Sequence, residues 1–281
     1  MKVVTKKNIK RLKTQKRNYL NVDELNAYRV AYGQPLKAKD FIYYVGMPSL
    51  LFVGFSFILL YYWWLSLLMG VFGAIYGYKV FLPKSIEKSY KAQSFNQRNI
   101  FVNNMTQILT DGEKTVPKAL ATANSRSHGE FKEDITQLQA RLVGADNDQI
   151  QEGFKNLSDK YKEDVIFIQY IEQLETAMLE GRANIDTIKD IKSYHNDMKK
   201  KQTEYEVKKQ GHLKDMKMLC GVVVIFILAV SFSFGFSTYL NAFAHHPTGW
   251  ISCTVYLLLM LSFFRKFSYY LFDDSVLEVK M

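Results

Sequence analysis

Two long runs of the chain, 41–78 and 218–264, contain no charged residue. Between them apolar residues recur every three or four positions in an otherwise polar stretch. One membrane-crossing helix takes about 20 residues, so each run has the length for two spans and a tight turn. In the first run the turn is expected at Tyr61, Tyr62, Trp63 and Trp64, an aromatic group suited to the membrane–water interface. In the second it is expected at 241–249, which holds His245, His246, Pro247 and Gly249.

The middle stretch, 84–217, has a helical period throughout. Phe101, Met105, Ile108 and Leu109 share one face, followed by Val116, Ala119, Leu120 and Ala123. Phe131, Ile135, Leu138 and Leu142 precede Ile150, Phe154 and Leu157. Ile168, Ile171, Leu174 and Met178 precede Ile185, Ile188 and Ile191. None of these segments alternates as a strand would. Gly112, Gly144 and Gly181 each follow an apolar-periodic segment, where a helix C-cap is expected. The pattern predicts three helical hairpins. The expected fold is all-α: a cytoplasmic six-helix bundle between two transmembrane helical hairpins, with four spans in total. Its parts are an N-terminal segment (1–40), hairpin one (41–83), the bundle (84–217), hairpin two (218–264) and a tail (265–281). The first and last bundle helices are expected to continue into the second and third spans. A short helix is expected over 21–33, with Tyr28, Val30 and Tyr32 on the membrane surface.

Charge adds orientation. The net charge is +10, but residues 1–40 hold 11 basic against 3 acidic residues, while 84–217 hold 22 against 21. No apolar core follows the basic start until Phe41, which argues against a secretory signal. Lys6, Lys7, Lys10 and Arg11 are expected on the membrane surface against anionic lipid, with no nucleic acid as partner. Basic residues flank every run, and neither hairpin tip has a Lys or Arg. The positive-inside rule then places both termini and the bundle in the cytoplasm of a multi-pass membrane protein.

Small residues within the runs suggest helix packing: Gly73 and Gly77 in the second span, Ser231 and Gly235 in the third. Candidate chemistry is sparse. The spans hold no ionisable residue between their ends, which argues against ion coupling. No P-loop, GxSxG, HExxH or CxxC motif occurs. Cys220 and Cys253 lie in apolar runs, and His245-His246 reads as an exposed loop pair. Glu172, Glu175 and Glu180 read as a solvated helix face. No catalytic, cofactor-binding or metal-ligating residue is expected.

Ile108-Leu109-Thr110-Asp111-Gly112 leading to Ala119-Leu120, and Leu174 to Ile188 around Glu180-Gly181, resemble the type II secretion F-domain family. The resemblance covers about 95–240 and is to the single-copy, tight-adherence (Tad) variant. Gly144 to Asp148, charged and asparagine-containing, departs from it. It implies a non-enzymatic platform of a type IV pilus-like or secretion machine. Such a platform couples a cytoplasmic hexameric ATPase to pilin or pseudopilin subunits. A second platform protein and homo- or hetero-oligomerisation are implied too, while motor-contacting residues are not transferable. The alternative reading is a membrane signalling or sensor protein with a helical output bundle. A transporter ranks third.

Overall fold

The computed structural model describes residues 22–111 and 115–272. The chain is helical throughout, with no strand among the described residues. The elements are α1 (Val22–Tyr32), α2 (Ala38–Leu60), α3 (Trp63–Thr110), α4 (Val116–Ser125), α5 (Gly129–Leu142), α6 (Asn147–Lys160), α7 (Val165–Leu179), α8 (Ile185–Ser233), α9 (Phe236–Tyr239) and α10 (Pro247–Leu271). α2, α3, α8 and α10 are long and apolar enough to cross a membrane. Their side chains support that reading: Leu50, Trp63, Val71, Phe226 and Leu259 are among many large apolar groups left exposed. Exposed large apolar side chains in this number are compatible with a membrane around these helices.

The chain divides into two compact units. The first comprises 22–30, 34–87 and 230–258 among the described residues. Its framework is the antiparallel pair of α2 and the first part of α3. α2 ends at Leu60 because Tyr61 takes a left-handed backbone (φ 56°, ψ 23°), and Tyr62 is extended before α3 starts at Trp63. Both helices widen into a single π turn, at Ile42–Gly46 and Gly77–Phe81. Glycines let their backbones touch. A Cβ on Gly73 would lie 2.8 Å from the Pro48 carbonyl oxygen, and one on Gly77 would lie 2.7 Å from that of Tyr44. The Ser49 hydroxyl donates across the pair to the Gly70 carbonyl at 2.9 Å. Leu25, Leu82 and Ile86 form a small core at the other end, covered by Tyr28 and Tyr44. Tyr28 is partly buried against this core.

α8 stops short of the turn read from sequence. Its last residue is Ser233, and Gly235, at φ +79°, takes a conformation that L side chains avoid. The connector to α10 is the short α9 and a π turn at Leu240–Ala244. It is tied to α2 by the Tyr239 hydroxyl, which donates to the Leu59 carbonyl at 3.1 Å. Gly235 is thus a helix terminator, with the Thr238 hydroxyl in ordinary contact, 3.8 Å from its Cβ position, while Ser231 is fully buried.

The second unit comprises 31–33, 88–229 and 259–272 among the described residues. Its core joins the remainder of α3 to α4, α5, α6, α7 and the start of α8. Phe101, Phe131, Phe154 and Phe167 are fully buried. Phe131 packs edge-on to Phe101 and Phe167 at 5.3 and 5.9 Å between ring centroids. The apolar face of α7 is rotated from the one the sequence suggested. Phe167 and Tyr170 lie at the centre beside Ile171 and Leu174, whereas Ile168 is only half buried. Tyr32, partly buried, packs against this core, its ring 5.5 Å from that of Tyr90.

Turn chemistry explains the breaks. Glu180 is the C-cap of α7, still in a right-handed helical conformation, and Gly181 follows at φ +72°, in the left-handed region. After α5, Val143 is extended (φ −73°, ψ 113°) and Gly144 follows at φ +66°, the two central positions of a type II turn. Asp146 then opens α6 with a capping box, accepting from the Gln149 amide at 2.8 Å. Gly112 lies outside the described residues.

Gly73→Ala forces a methyl into the α2–α3 backbone contact and should destabilise by about 1–3 kcal/mol. Gly211→Ala, in open space within α8, should stabilise by roughly 1 kcal/mol. Thermal unfolding of the two variants in the same detergent checks the contrast.

Candidate functional site: a buried ion pair and an asparagine seam

Asp164 stands immediately before α7, and its side chain answers three demands at once. One oxygen accepts from the Phe167 amide at 3.1 Å, capping the helix. The other accepts from Arg98 Nε at 2.7 Å and lies 3.4 Å from His195 Nε2. Arg98, Asp164 and His195 are all buried. They come from α3, the α7 cap and α8, so one carboxylate joins three elements.

The surroundings complete the pairing. Arg98 also donates from Nη1 to the Ser94 hydroxyl at 2.7 Å, and its guanidinium lies 4.9 Å above the Tyr161 ring. Such a cation–π contact adds to the charge pairing once water is excluded. His195 stacks on Phe95 at 4.8 Å. The Asn99 amide donates to His195 Nδ1 at 3.0 Å, which leaves the ring proton on Nε2, facing Asp164. Burial would by itself raise the Asp164 pKa. The hydrogen bond from His195 and the Arg98 charge outweigh it and hold the carboxyl below its usual range.

From His195 the polar contact continues along α3 and α8. Asn99 and Asn103 both donate to the Asn196 side-chain oxygen at 2.8 Å, and Asn196 returns a bond to Asn103 at 2.9 Å. Lys199 bonds Asn96 one turn further on. The facing residues here are amides and a histidine, where a helical core ordinarily places leucines. Within this network Arg98 is ion-paired with Asp164, and Lys199 is held by the Asn96 side-chain oxygen. The network fastens α3 to α8.

A second ionic group pins α5 to α6. Lys160 pairs with Glu130 at 2.6 Å and also with Asp134, which accepts from the Tyr161 hydroxyl at 2.7 Å. The two carboxylates raise the Lys160 pKa despite burial. Burial and the neighbouring Asp134 push the Tyr161 phenol up, so it stays a proton donor. On the outer side of α6 and α7 a shallow groove of about 600 Å³ is lined by Asp148, Glu152, Asp159, Glu172 and Glu175, with Lys155, Lys162 and Ile168. Burial and the adjacent Glu172 raise the Glu175 pKa.

The residues singled out from sequence are spread apart. Gly73 and Gly77 serve the α2–α3 contact, Ser231 and Gly235 the end of α8, and Gly144 and Gly181 two turns. Lys6, Lys7, Lys10 and Arg11 lie outside the described residues. His245 stacks on Tyr62 at 4.3 Å, and His246 bonds Thr248 through Nδ1. Among the described residues no three His, Cys, Asp or Glu side chains could hold a metal ion. The ion pair itself escaped the sequence reading. Its signals were there: Asp164 directly before an apolar run, and asparagines 96, 99 and 103 at helical spacing.

No family model matches the chain, and no solved structure does. A curated protein of Bacillus anthracis, described as uncharacterized protein pXO2-23, is 53% identical over 268 residues, covering 95% of this chain and 97% of that protein. The chain belongs to the same family as that protein, by likeness over nearly the whole length of both.

Replacing Arg98 or Asp164 singly by Ala leaves a buried charge without its partner and should cost about 3–5 kcal/mol. The double variant should cost less than the sum, as a double-mutant cycle in detergent will show. Because the folded Asp164 pKa lies below its unfolded value, its contribution is complete above the ordinary carboxylate range. It is lost as pH falls through the folded value. Asp164→Asn should remove that part of the acid dependence of the melting temperature.

Proposed function

We propose that this protein is a non-enzymatic assembly platform of the type II secretion F-domain kind, in the Tad-like single-copy form, within a bacterial cytoplasmic membrane. In this reading α4 to α7, with the adjoining parts of α3 and α8, form a cytoplasmic six-helix bundle. A hexameric ATPase works on it from the cytoplasm, and pilin or pseudopilin subunits are extracted alongside the spans. The layout supports the reading, since a helical core lies in sequence between two pairs of apolar helices. The charge pattern supports the orientation, because Lys and Arg flank the apolar runs and are missing from both tips.

The observation that carries most weight is the fastening of α3 to α8 by Arg98, Asp164, His195 and the asparagine seam. These are the two helices that each hold both an apolar window and a share of the helical core. A sensor or an inert anchor has no need of so specific a joint at that point. A platform that bears axial load does, because load on one helix must reach its neighbour without slippage.

The test is genetic and biochemical together. Deleting the gene should abolish filament or secretion output, and the tagged full-length protein in mild detergent should co-purify with a secretion-type ATPase or a second platform protein. Recovery of a lone monomer from a strain whose filaments and secretion survive the deletion would refute the platform role.

A further inference from the structure

We infer that α8 and α10 together form a binding site for the phosphate headgroups of anionic phospholipids, at the level where both helices turn from polar to apolar. The inference rests on reading their apolar stretches as membrane spans. Near its end α10 packs against α8: the Tyr270 ring is 5.9 Å from His212 and 6.5 Å from Tyr205. The Leu271 carbonyl accepts from Lys88 at 3.2 Å, and the same lysine pairs with Glu206 of α8 at 2.7 Å. These contacts fix which part of α10 lies beside which part of α8.

The chain leaves α8 at Ser233 and enters α10 at Pro247. The stretches from the Tyr270–His212 contact to the connector are therefore nearly equal in length, and the helices are antiparallel there. One helical turn is about 5.4 Å. A turn forward from His212 and a turn back from Tyr270 reach Lys214–Lys217 and Arg265–Lys266 respectively. Four basic side chains thus share one level, and all four are exposed. None of them forms an ion pair among the described residues. On the apolar side of that level stand Met218 and Leu219 of α8 and Phe263 of α10, exposed as well. Tyr269 and Tyr270 stand on the polar side, partly exposed.

Cations with aromatic groups beside them and exposed hydrocarbon directly beyond match the profile of a headgroup layer. Asp215 is the one acidic residue between His212 and Met218, so the local balance is positive. Lysine and arginine near an anionic surface each contribute roughly 1 kcal/mol, or about fivefold in affinity. An acidic protein would satisfy the charges but not the apolar groups directly above them, which is why lipid is the better occupant.

The experiment uses the full chain in nanodiscs of phosphatidylcholine alone or mixed with phosphatidylglycerol, with retained lipid counted by native mass spectrometry. Wild type should retain phosphatidylglycerol preferentially. Lys214→Gln, Lys217→Gln, Arg265→Gln and Lys266→Gln should each weaken the preference about fivefold, and the fourfold variant should lose it. The exposed pair Lys200→Gln and Lys201→Gln, further from the apolar edge, should leave it intact. Equal retention of both lipids by wild type, or undiminished preference in the fourfold variant, overturns the site. Displacement of the lipid by millimolar inorganic phosphate, or by an acidic polypeptide, overturns the lipid as its occupant. Extraction of wild type from membranes by alkaline carbonate would overturn the spans and the site with them. Firm retention together with no lipid preference would overturn the site alone.

Discussion

The Asp164 carboxylate is the point on which the helical core depends. Its two oxygens are shared among a helix cap, an arginine and a histidine, each from a different element. A buried charge is tolerable only when its attraction and hydrogen bonds offset desolvation, and here they do so by drawing α3, α7 and α8 together. The aromatic cluster behind it supplies the low-polarity wall. Phe95, Tyr161 and Phe167 all lie within 6 Å of the Arg98 guanidinium. Hydrophobic packing and ion pairing are thus interdependent: the rings exclude water from the pair, and the pair fixes where the rings meet.

The first unit joins its helices by the opposite means. Between α2 and α3 the contact is made by glycines that let backbones touch, with a single serine hydroxyl bridging to a carbonyl. In hydrocarbon there is no hydrophobic gain from putting two apolar helices together, so close van der Waals contact and isolated polar bonds must hold them. In the second unit a stripe of amides joins α3 to α8, and each amide left unmatched would cost stability.

Periodicity made the helical class and most of the core legible. Phe101, Met105, Leu120, Phe131, Ile135, Phe154 and Leu174 are all buried as their spacing indicates. It misjudged α7 because Ile168 has the hydrophobicity of a core residue, while the larger aromatic groups of Phe167 and Tyr170 determine which face turns inward. It also extended the third span too far, since a glycine in an apolar run reads equally as a packing residue or a stop. Only the backbone, with φ +79° at Gly235, separates the two. The stretch from Gly144 to Asp148, where the sequence departs from the family it resembles, is a turn followed by a helix cap, both encoded by residue type. The Arg98–Asp164 pair was beyond any local rule. Its partners are 66 residues apart, and charge pairing over that distance leaves no periodic trace.

The asparagine seam also bears on what the core can do under load. Two leucine-lined helices can slip by a turn and find much the same surface, because apolar contact is not directional. Amides cannot. A one-turn shift would take Asn99 from His195 and Asn103 from Asn196, leaving donors and acceptors unmatched within the packed interior. A polar residue in an otherwise helical seam characteristically fixes register at some expense of stability. The seam therefore trades strength for a single alignment of α3 with α8. Its anchor at Asp164 extends that alignment to α7, so displacement of any one of the three helices must either carry the other two or break a buried ion pair.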